Sequence, residues 1–546
     1  MAGKAKKLYF CSRKTEIRLN TIQSSTYRPW LYAGILALLA PALLINLGEL
    51  AFIDDEAIRA LVALEMKLSG NYITPTLHGE YYYNKPPLWN WILLLCFEGT
   101  GTASEFTARL PTVLCLLGYG ATIYYFFQKH YSRKVAFLNA FFFLTCGRVL
   151  FWDSILALID ICFSWVTFTA FMVVYHQFRK GNWLKLFLFS YLLTAAGFML
   201  KGLPSVVFQG TTLLVYFAWC RRFRKLFSWQ HAIGGLAFLL IVGGYYLAYH
   251  QYNSLENVFT TLFRESSKRT VVNYGVWNTI GHFFMFPFEM VYHFLPWSLM
   301  ILYFFRRDTL ARLREDRFIT FNLITFAANI LVYWTSPEVY PRYLLMLAPL
   351  IFSAYIYLHP FHEANRTWQY RLIHALFLVF CVIAAVGAFA PLFIERPEGV
   401  PYRYAVSLAT GLALSGLAYL YWRWKEERLL VMIAVLVTFR AGFNWFVLPD
   451  RNNNDFGDIC RQSTLEVAEK FRDQKMAVFK DTYMQPTNSF YLTVGREKIV
   501  PRETDNFDKE TLYILYPESH PGLEYEKLGE FKVRHGQLTF DVVKLE

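Results

Sequence analysis

Three acids stand together where the first long apolar run ends: Asp54, Asp55 and Glu56. Carboxylates beside hydrocarbon are costly unless paired or used, so the triplet is a candidate for general-base or charge-stabilising work. It also has a plain structural reading, because acids in a helix's first turn are stabilised by the helix dipole. Further on the chain reads Tyr81-Tyr82-Tyr83-Asn84-Lys85-Pro86-Pro87-Leu88-Trp89. Its prolines stiffen a segment that offers a cation and an amide, and its aromatic rings suit a membrane boundary or the face of a sugar. Taken alone, that segment reads equally well as an interfacial anchor.

The elements that must position these residues are set by composition. Hydrophobic residues make up 55% of the 546 positions and charged residues only 17%, well below a soluble domain's usual share. Runs such as Leu31 to Leu47, Ala232 to Leu247 and Leu372 to Phe393 reach or approach the length that crosses a bilayer, and such runs are helical in lipid. The formal charge of +13 forms a ladder instead of a nucleic-acid-binding patch. Basic clusters recur between alternate apolar runs: up to Arg28, then Lys129 to Lys134, Arg179 to Lys185, Arg221 to Lys225, Arg306 to Arg317, Arg366 to Arg371 and Arg423 to Arg428. By the positive-inside rule those loops are cytoplasmic, which predicts about thirteen spans and places the C-terminal segment outside.

The expected organisation is a cytoplasmic tail over 1–29, a transmembrane domain over 30–449 and an outer α/β domain over 450–546. A long outer loop, 53–102, carries the acids. In that loop Asp54 can cap an interfacial helix that Gly70 ends. A second outer segment, Tyr252 to Thr279, carries Arg264, Lys268 and Arg269. In the tail, Met476 to Phe479, Phe490 to Val494, Thr511 to Tyr516 and Leu538 to Leu545 read as strands and Ser463 to Gln474 as a helix. The run near 134–150 is short enough to be tilted or re-entrant. No cleavable signal is evident, and most of the eight cysteines lie in apolar runs, so a disulfide framework is not expected.

The acidic pair followed by an aromatic run and a Lys-Pro-Pro-Leu, Lys85 to Leu88, resembles glycosyltransferase family 39. This is the protein O-mannosyltransferase family with its bacterial relatives, and the lipid A aminoarabinose transferases are nearest in look. Further motifs follow in the family's order: Arg148 with Asp153-Ser-Ile-Leu, Lys201-Gly-Leu-Pro204, Leu295-Pro-Trp-Ser298 and Pro341-Arg-Tyr-Leu344. The resemblance covers about 30 to 350 and extends loosely to the end. It implies a GT-C type glycosyltransferase fold with thirteen spans and an outer soluble domain.

It also implies roles. Asp55 maps onto the catalytic or acceptor-organising carboxylate, with Glu56 beside it. Asp153 maps onto the second essential acid ahead of Asp160, which lies two helical turns on. Lys85, Lys201, Arg342 and Tyr343 then hold the donor phosphate, and Tyr82, Tyr83, Asn84 and Arg148 line the substrate site. Each has a structural alternative: a salt bridge between Arg148 and Asp153, a buried pair for Asp160, and helix-end anchors for the cations. Asn84 departs from the family, because relatives carry an acid there that in some helps to hold a metal. An amide replaces an anionic ligand poorly, so a divalent ion is not a firm expectation, with Glu56 and His282 the remaining weak ligand candidates. His293 reads as a core or interfacial histidine.

The implied reaction moves a sugar from a polyprenyl phosphate to lipid A, another glycolipid or a protein. It would take place at the outer face of a bacterial inner membrane, in a monomer that contacts membrane lipids and no nucleic acid. A polytopic transporter or lipid flippase is the alternative from another class, and a noncatalytic envelope scaffold a third.

Overall fold

The computed structural model describes residues 28–53, 55–267, 275–394, 399–454, 457–505, 507–534 and 536–546. Asp54, Lys268 and Arg269 therefore lie outside the described residues.

The chain is a bundle of apolar helices with a small mixed unit at one end. Helix α1 (Pro29–Leu44) enters the bundle and α2 (Glu56–Ser69) follows a short turn. A two-stranded hairpin, β1 (Thr76–Leu77) and β2 (Glu80–Tyr81), and α3 (Leu88–Thr100) complete the first loop. There follow α4 (Glu105–Phe127), α5 (Arg133–Leu144), α6 (Gly147–Phe151), α7 (Asp160–Lys180), α8 (Trp183–Lys201), α9 (Pro204–Trp219), α10 (Trp229–His250) and α11 (Glu256–Ser267). The bundle ends with α12 (Val276–His293), α13 (Thr309–Leu313), α14 (Arg317–Trp334), α15 (Ala348–Ala364), α16 (Trp368–Gly387), α17 (Arg403–Arg423) and α18 (Arg428–Asn454).

Among the described residues eight helices are long and apolar enough to cross a membrane, or nine if one bent pair counts as a single span. This is fewer than the thirteen expected from hydropathy. The shortfall is local: α1 and α9 have 16 residues each and α15 has 17. The apolar run 281–305 is divided between α12, which contains Pro287, and a tighter 3-10 turn at Trp297–Phe304. A sliding apolar window cannot see such breaks, because hydropathy reports burial in lipid and not helical continuity.

The bent pair is α5 and the segment Gly147–Ile155, which turn by 50°, in line with the short run near 134–150. Gly147 donates to the Leu295 carbonyl at 2.6 Å, and a Cβ there would meet that oxygen at 3.0 Å. Trp297 stacks on Phe142 at 3.7 Å and donates from Nε1 to Thr145 at 3.0 Å. The Leu295–Ser298 motif thus braces the bend.

The basic loops gather at one end. Arg28 lies over Trp424 at 3.6 Å, Lys134 pairs with Glu427 at 2.9 Å, and Arg312 lies over Phe361 at 3.8 Å. The other end carries the first loop and the C-terminal unit. In that unit α19 (Gly457–Lys470) and α20 (Pro486–Arg496) cover a sheet of order β4-β3-β5-β7-β6, formed by β3 (Met476–Phe479), β4 (Arg502–Glu503), β5 (Leu512–Leu515), β6 (Tyr525–Val533) and β7 (Leu538–Leu545). Strand β3 runs parallel to β4 and β5, and β7 runs antiparallel to β5 and β6.

Two local expectations are overturned. Phe490 to Val494, read as a strand, belongs to helix α20, which Pro486 starts and which buries Phe490, Tyr491 and Leu492. Packing overrides the β-propensity of that run. The first-loop helix α2 does end at Gly70, with φ at 68°, but it is not an open interfacial helix. Most of its length is buried, and Phe490 and Tyr491 of α20 share its apolar cluster.

Candidate active site

The first loop is tied to the bundle by one buried ion pair. Arg109, on α4, donates from Nε and Nη2 to the two oxygens of Glu56 at 3.1 and 2.6 Å. Its remaining protons go to the carbonyls of Leu47, Leu50 and Ala51 at 2.9 to 3.2 Å, so all five guanidinium donors are used. Glu56 also accepts from the backbone N–H of Ile53 and of Ala157, both at 2.8 Å. Trp89 donates to the carbonyl of Ala157 at 3.2 Å. Both peptide groups of Ala157 are therefore fixed by the first loop, midway between Asp153 and Asp160.

This alters the reading of Glu56. It was expected beside Asp55 as a catalytic or metal-binding acid, yet it is fully buried and four donors occupy its lone pairs. Arg109 was missed at the sequence level, and the available signal was an arginine within an apolar span, which is expensive unless it is employed.

Held by that bracket, Asp55 makes no side-chain capping bond to α2. Its carboxylate lies 3.7 Å from Nη2 of Arg342, and its side chain is 53% exposed while that of Arg342 is 5% exposed. Nε of the same arginine lies 3.5 Å from Asp160, the first residue of α7. Asp160 is also paired with Lys201, the last residue of α8. The Lys201 ammonium sits 3.8 Å from the ring centre of Tyr343. One arginine thus joins the exposed acid of the first loop to a buried acid–lysine pair.

Lys85 closes the group. Burial and the charges of Arg59 and Lys201 push its ammonium down to about 8, while Glu265 and Asp160 act in the other direction. Tyr82 is buried and accepts from Arg59 at 2.7 Å. Tyr83 accepts from Asn253 at 3.0 Å, which turns it toward the end of α10. Asn84 is exposed.

Asp153 occupies a different position from the one expected of the second acid. Both its oxygens face Arg148, at 3.0 to 3.1 Å. The acid that contacts both Arg342 and Lys201 is Asp160. The two alignments differ by two helical turns, and a 3-10 turn at Asp153–Ile155 before α7 hid which acid faces the cleft.

A metal does not suit this donor set. Among the described residues no three His, Cys, Asp or Glu side chains converge on one point. Glu56 has no lone pair to spare, Asn84 offers an amide, and His282 stands on α12 with its ring against Phe286 at 5.2 Å. Among the described residues, the first loop and the ends of α7 and α8 bring the cations Arg59, Lys85, Lys201 and Arg342 together with Asp55, Asp160 and Glu265.

Residues 84–246 match the family described as dolichyl-phosphate-mannose-protein mannosyltransferase. An uncharacterized protein of Aquifex aeolicus is 25% identical over 327 residues, covering 56% of this chain and 73% of its own. The undecaprenyl phosphate-alpha-4-amino-4-deoxy-L-arabinose arabinosyl transferase of Shewanella sediminis is 23% identical over 177 residues, 32% of each chain. The crystal structure of ArnT from Cupriavidus metallidurans bound to undecaprenyl phosphate has a TM-score of 0.68 at 16% identity, covering 95% of this chain and 98% of that one. The chain is a multi-span membrane protein with that fold, and it resembles the O-mannosyltransferase and aminoarabinose transferase families.

Proposed function

We infer that this chain is a membrane glycosyltransferase that takes its sugar from a polyprenyl-phosphate donor and delivers it to an envelope acceptor. The observation that carries this is the Arg342 bridge between Asp55 and the Asp160–Lys201 pair, with Lys85 beside it.

The leaving group of such a donor is a phosphate, already a stabilised anion, so no strong acid is needed. Rate comes from holding donor and acceptor in line and from neutralising the phosphate charge that grows as the glycosidic bond breaks. Arg342, Lys201 and Lys85 supply that charge. Asp160 is too enclosed to act as the base and instead orients the two cations it touches. Asp55 is the accessible carboxylate. It removes the proton from a hydroxyl acceptor, or, if the acceptor is a phosphate, orients it and stabilises positive charge at the anomeric carbon. A single displacement inverts the anomeric centre. Lipid A, a related glycolipid or an exported protein are the acceptors this chemistry allows. The basic loops at the opposite end support an inner-membrane orientation with 53–102 and 450–546 in the periplasm.

Replacing Asp55 by Asn is the direct test. Transfer is expected to fall by about 10²–10⁴-fold, the usual worth of a positioned base, while the protein inserts normally and still binds undecaprenyl phosphate. Mass spectrometry of envelope lipids and exported proteins, with the wild type, the variant and no enzyme, reads the result. Unchanged masses in all three would refute a transferase, and full activity in Asp55→Asn would remove that residue from the mechanism.

Lys85 gives a pH signature. With its ammonium pushed down to about 8, the free protein loses that cation as the pH rises through 8. Phosphate binding favours the protonated form, so affinity for undecaprenyl phosphate should hold below pH 7 to 8 and weaken above it, by up to about tenfold per pH unit. The weakening should vanish in Lys85→Arg, whose charge persists across that range. A wild-type affinity that stays flat from pH 7 to 10 would place Lys85 away from the phosphate.

A further inference from the structure

The hairpin that precedes the catalytic loop is gripped from the other side by the C-terminal unit. Its two turn residues, His78 and Gly79, both have positive φ, at 58° and 73°, between the pairs Leu77 with Glu80 and Thr76 with Tyr81. This is the geometry of a tight hairpin turn whose favoured sequence is Asn-Gly. A histidine can adopt it, although the left-handed backbone region is uncommon for residues other than glycine.

The imidazole has a use that asparagine cannot fully copy. Nδ1 lies 3.3 Å from the carbonyl of Val500, and Nε2 lies 3.2 Å from the hydroxyl of Ser489 on α20. Burial pushes His78 down to about 4, so the ring is neutral at ordinary pH. A neutral ring has one donor and one acceptor, which fits Nδ1–H to the Val500 carbonyl, with Nε2 facing a serine hydroxyl that also lies 3.2 Å from the Gln485 carbonyl. The backbone joins in: the amide of Arg502 donates to the His78 carbonyl at 3.0 Å, and the Arg502 guanidinium lies 3.8 Å from Glu80. From below, buried Glu65 of α2 accepts from Thr76, from the amide of His78 and from the amide of Gly79 at 2.7 to 3.2 Å. After this turn come Tyr82, whose amide donates to the Pro75 carbonyl at 2.8 Å, and then Tyr83 and Lys85.

We propose that His78 is a positioning residue, a latch by which the C-terminal unit sets Lys85 for the donor phosphate. This rests on reading Lys85 as a phosphate ligand. It gives the C-terminal unit a part in the reaction.

The test uses the full chain in lipid nanodiscs with undecaprenyl phosphate as probe. His78→Asn keeps the favoured hairpin turn and loses the reach to Ser489, and Ser489→Ala breaks the same contact from the other side. Each should speed amide exchange in peptides covering residues 74–85 and weaken undecaprenyl phosphate about tenfold. Ser489→Thr, which keeps the hydroxyl, should restore both. In a Lys85→Ala background His78→Asn should weaken binding by less than about twofold, since residues acting through one another are not additive. Equal effects in both backgrounds would reduce His78 to a general structural role, and unaltered exchange in 74–85 would abolish the latch. If Lys85→Ala alone binds the probe like wild type, the donor-site reading fails, and exchange still decides the latch.

Discussion

Replacing Arg342 by Met should lower the transfer rate by about 10³-fold, with the acceptor KM moving much less. Removing one preorganised charge from a developing oxyanion typically costs 10² to 10³, and an arginine opposite a departing phosphate often costs more. Here the loss has a second part. Arg342 separates Asp55 from Asp160, lying 3.7 Å from one and 3.5 Å from the other through different nitrogens. Without it Asp160 keeps Lys201, but the link between Asp55 and that pair is lost. Arg342→Lys tells the two parts apart. A single ammonium retains the charge but cannot reach two carboxylates through separate donors, so it should recover about a tenth of the rate at best. Initial rates of sugar release from the lipid donor provide the measurement. Activity within threefold of wild type in Arg342→Met would mean that the phosphate leaves elsewhere.

Asp55, Lys85, Lys201 and Arg342 were singled out by motifs that resemble those of glycosyltransferase family 39, and the geometry brings them near one another. An ionisable residue at the end of an apolar run stands out against its neighbours, and its motif order along the chain was readable too. What the sequence left undetermined was which way each acid would face. Asp55 and Glu56 are adjacent, yet one faces the cleft and the other the bundle, because consecutive residues at a helix start point about 100° apart. Asp153 was placed ahead of Asp160 from motif order, whereas which of them contacts Arg342 and Lys201 depends on where a 3-10 turn ends and α7 begins. Arg109 stands out as an arginine inside an apolar span, but its role could not be read from its neighbours. Its partners, Leu47, Leu50, Ala51 and Glu56, come from the turn after α1 and the start of α2, and no local pattern links them to α4. The same holds for the latch, where His78 meets residues more than four hundred positions away.

The Arg109–Glu56 pair yields the largest expected effect on stability, and its logic separates folding from function. Both side chains are almost completely buried, 1% and 0% exposed. Glu56→Ala leaves a buried guanidinium without its counter-ion, and Arg109→Leu leaves a buried carboxylate beside three carbonyls that have lost their donor. Removing one member of such a pair typically costs 3 to 5 kcal/mol, so each single variant should melt well below the wild type and be nearly inactive. Replacing both by Leu removes the two charges together, and buried ion pairs exchanged for packed apolar groups are often neutral in stability. The double variant should therefore regain much of the melting temperature, short of the contribution of the carbonyls that only Arg109 served. It should not regain activity. The amides of Ile53 and Ala157 still lack their acceptor, and Ala157 is the point from which the segment leading to Asp160 is held. Detergent-solubilised melting curves, taken beside sugar-release rates for all four proteins, distinguish the outcomes. Recovery of activity in step with stability would show that Glu56 serves the fold alone, and single variants that melt like wild type would show that the pair carries little of the structure.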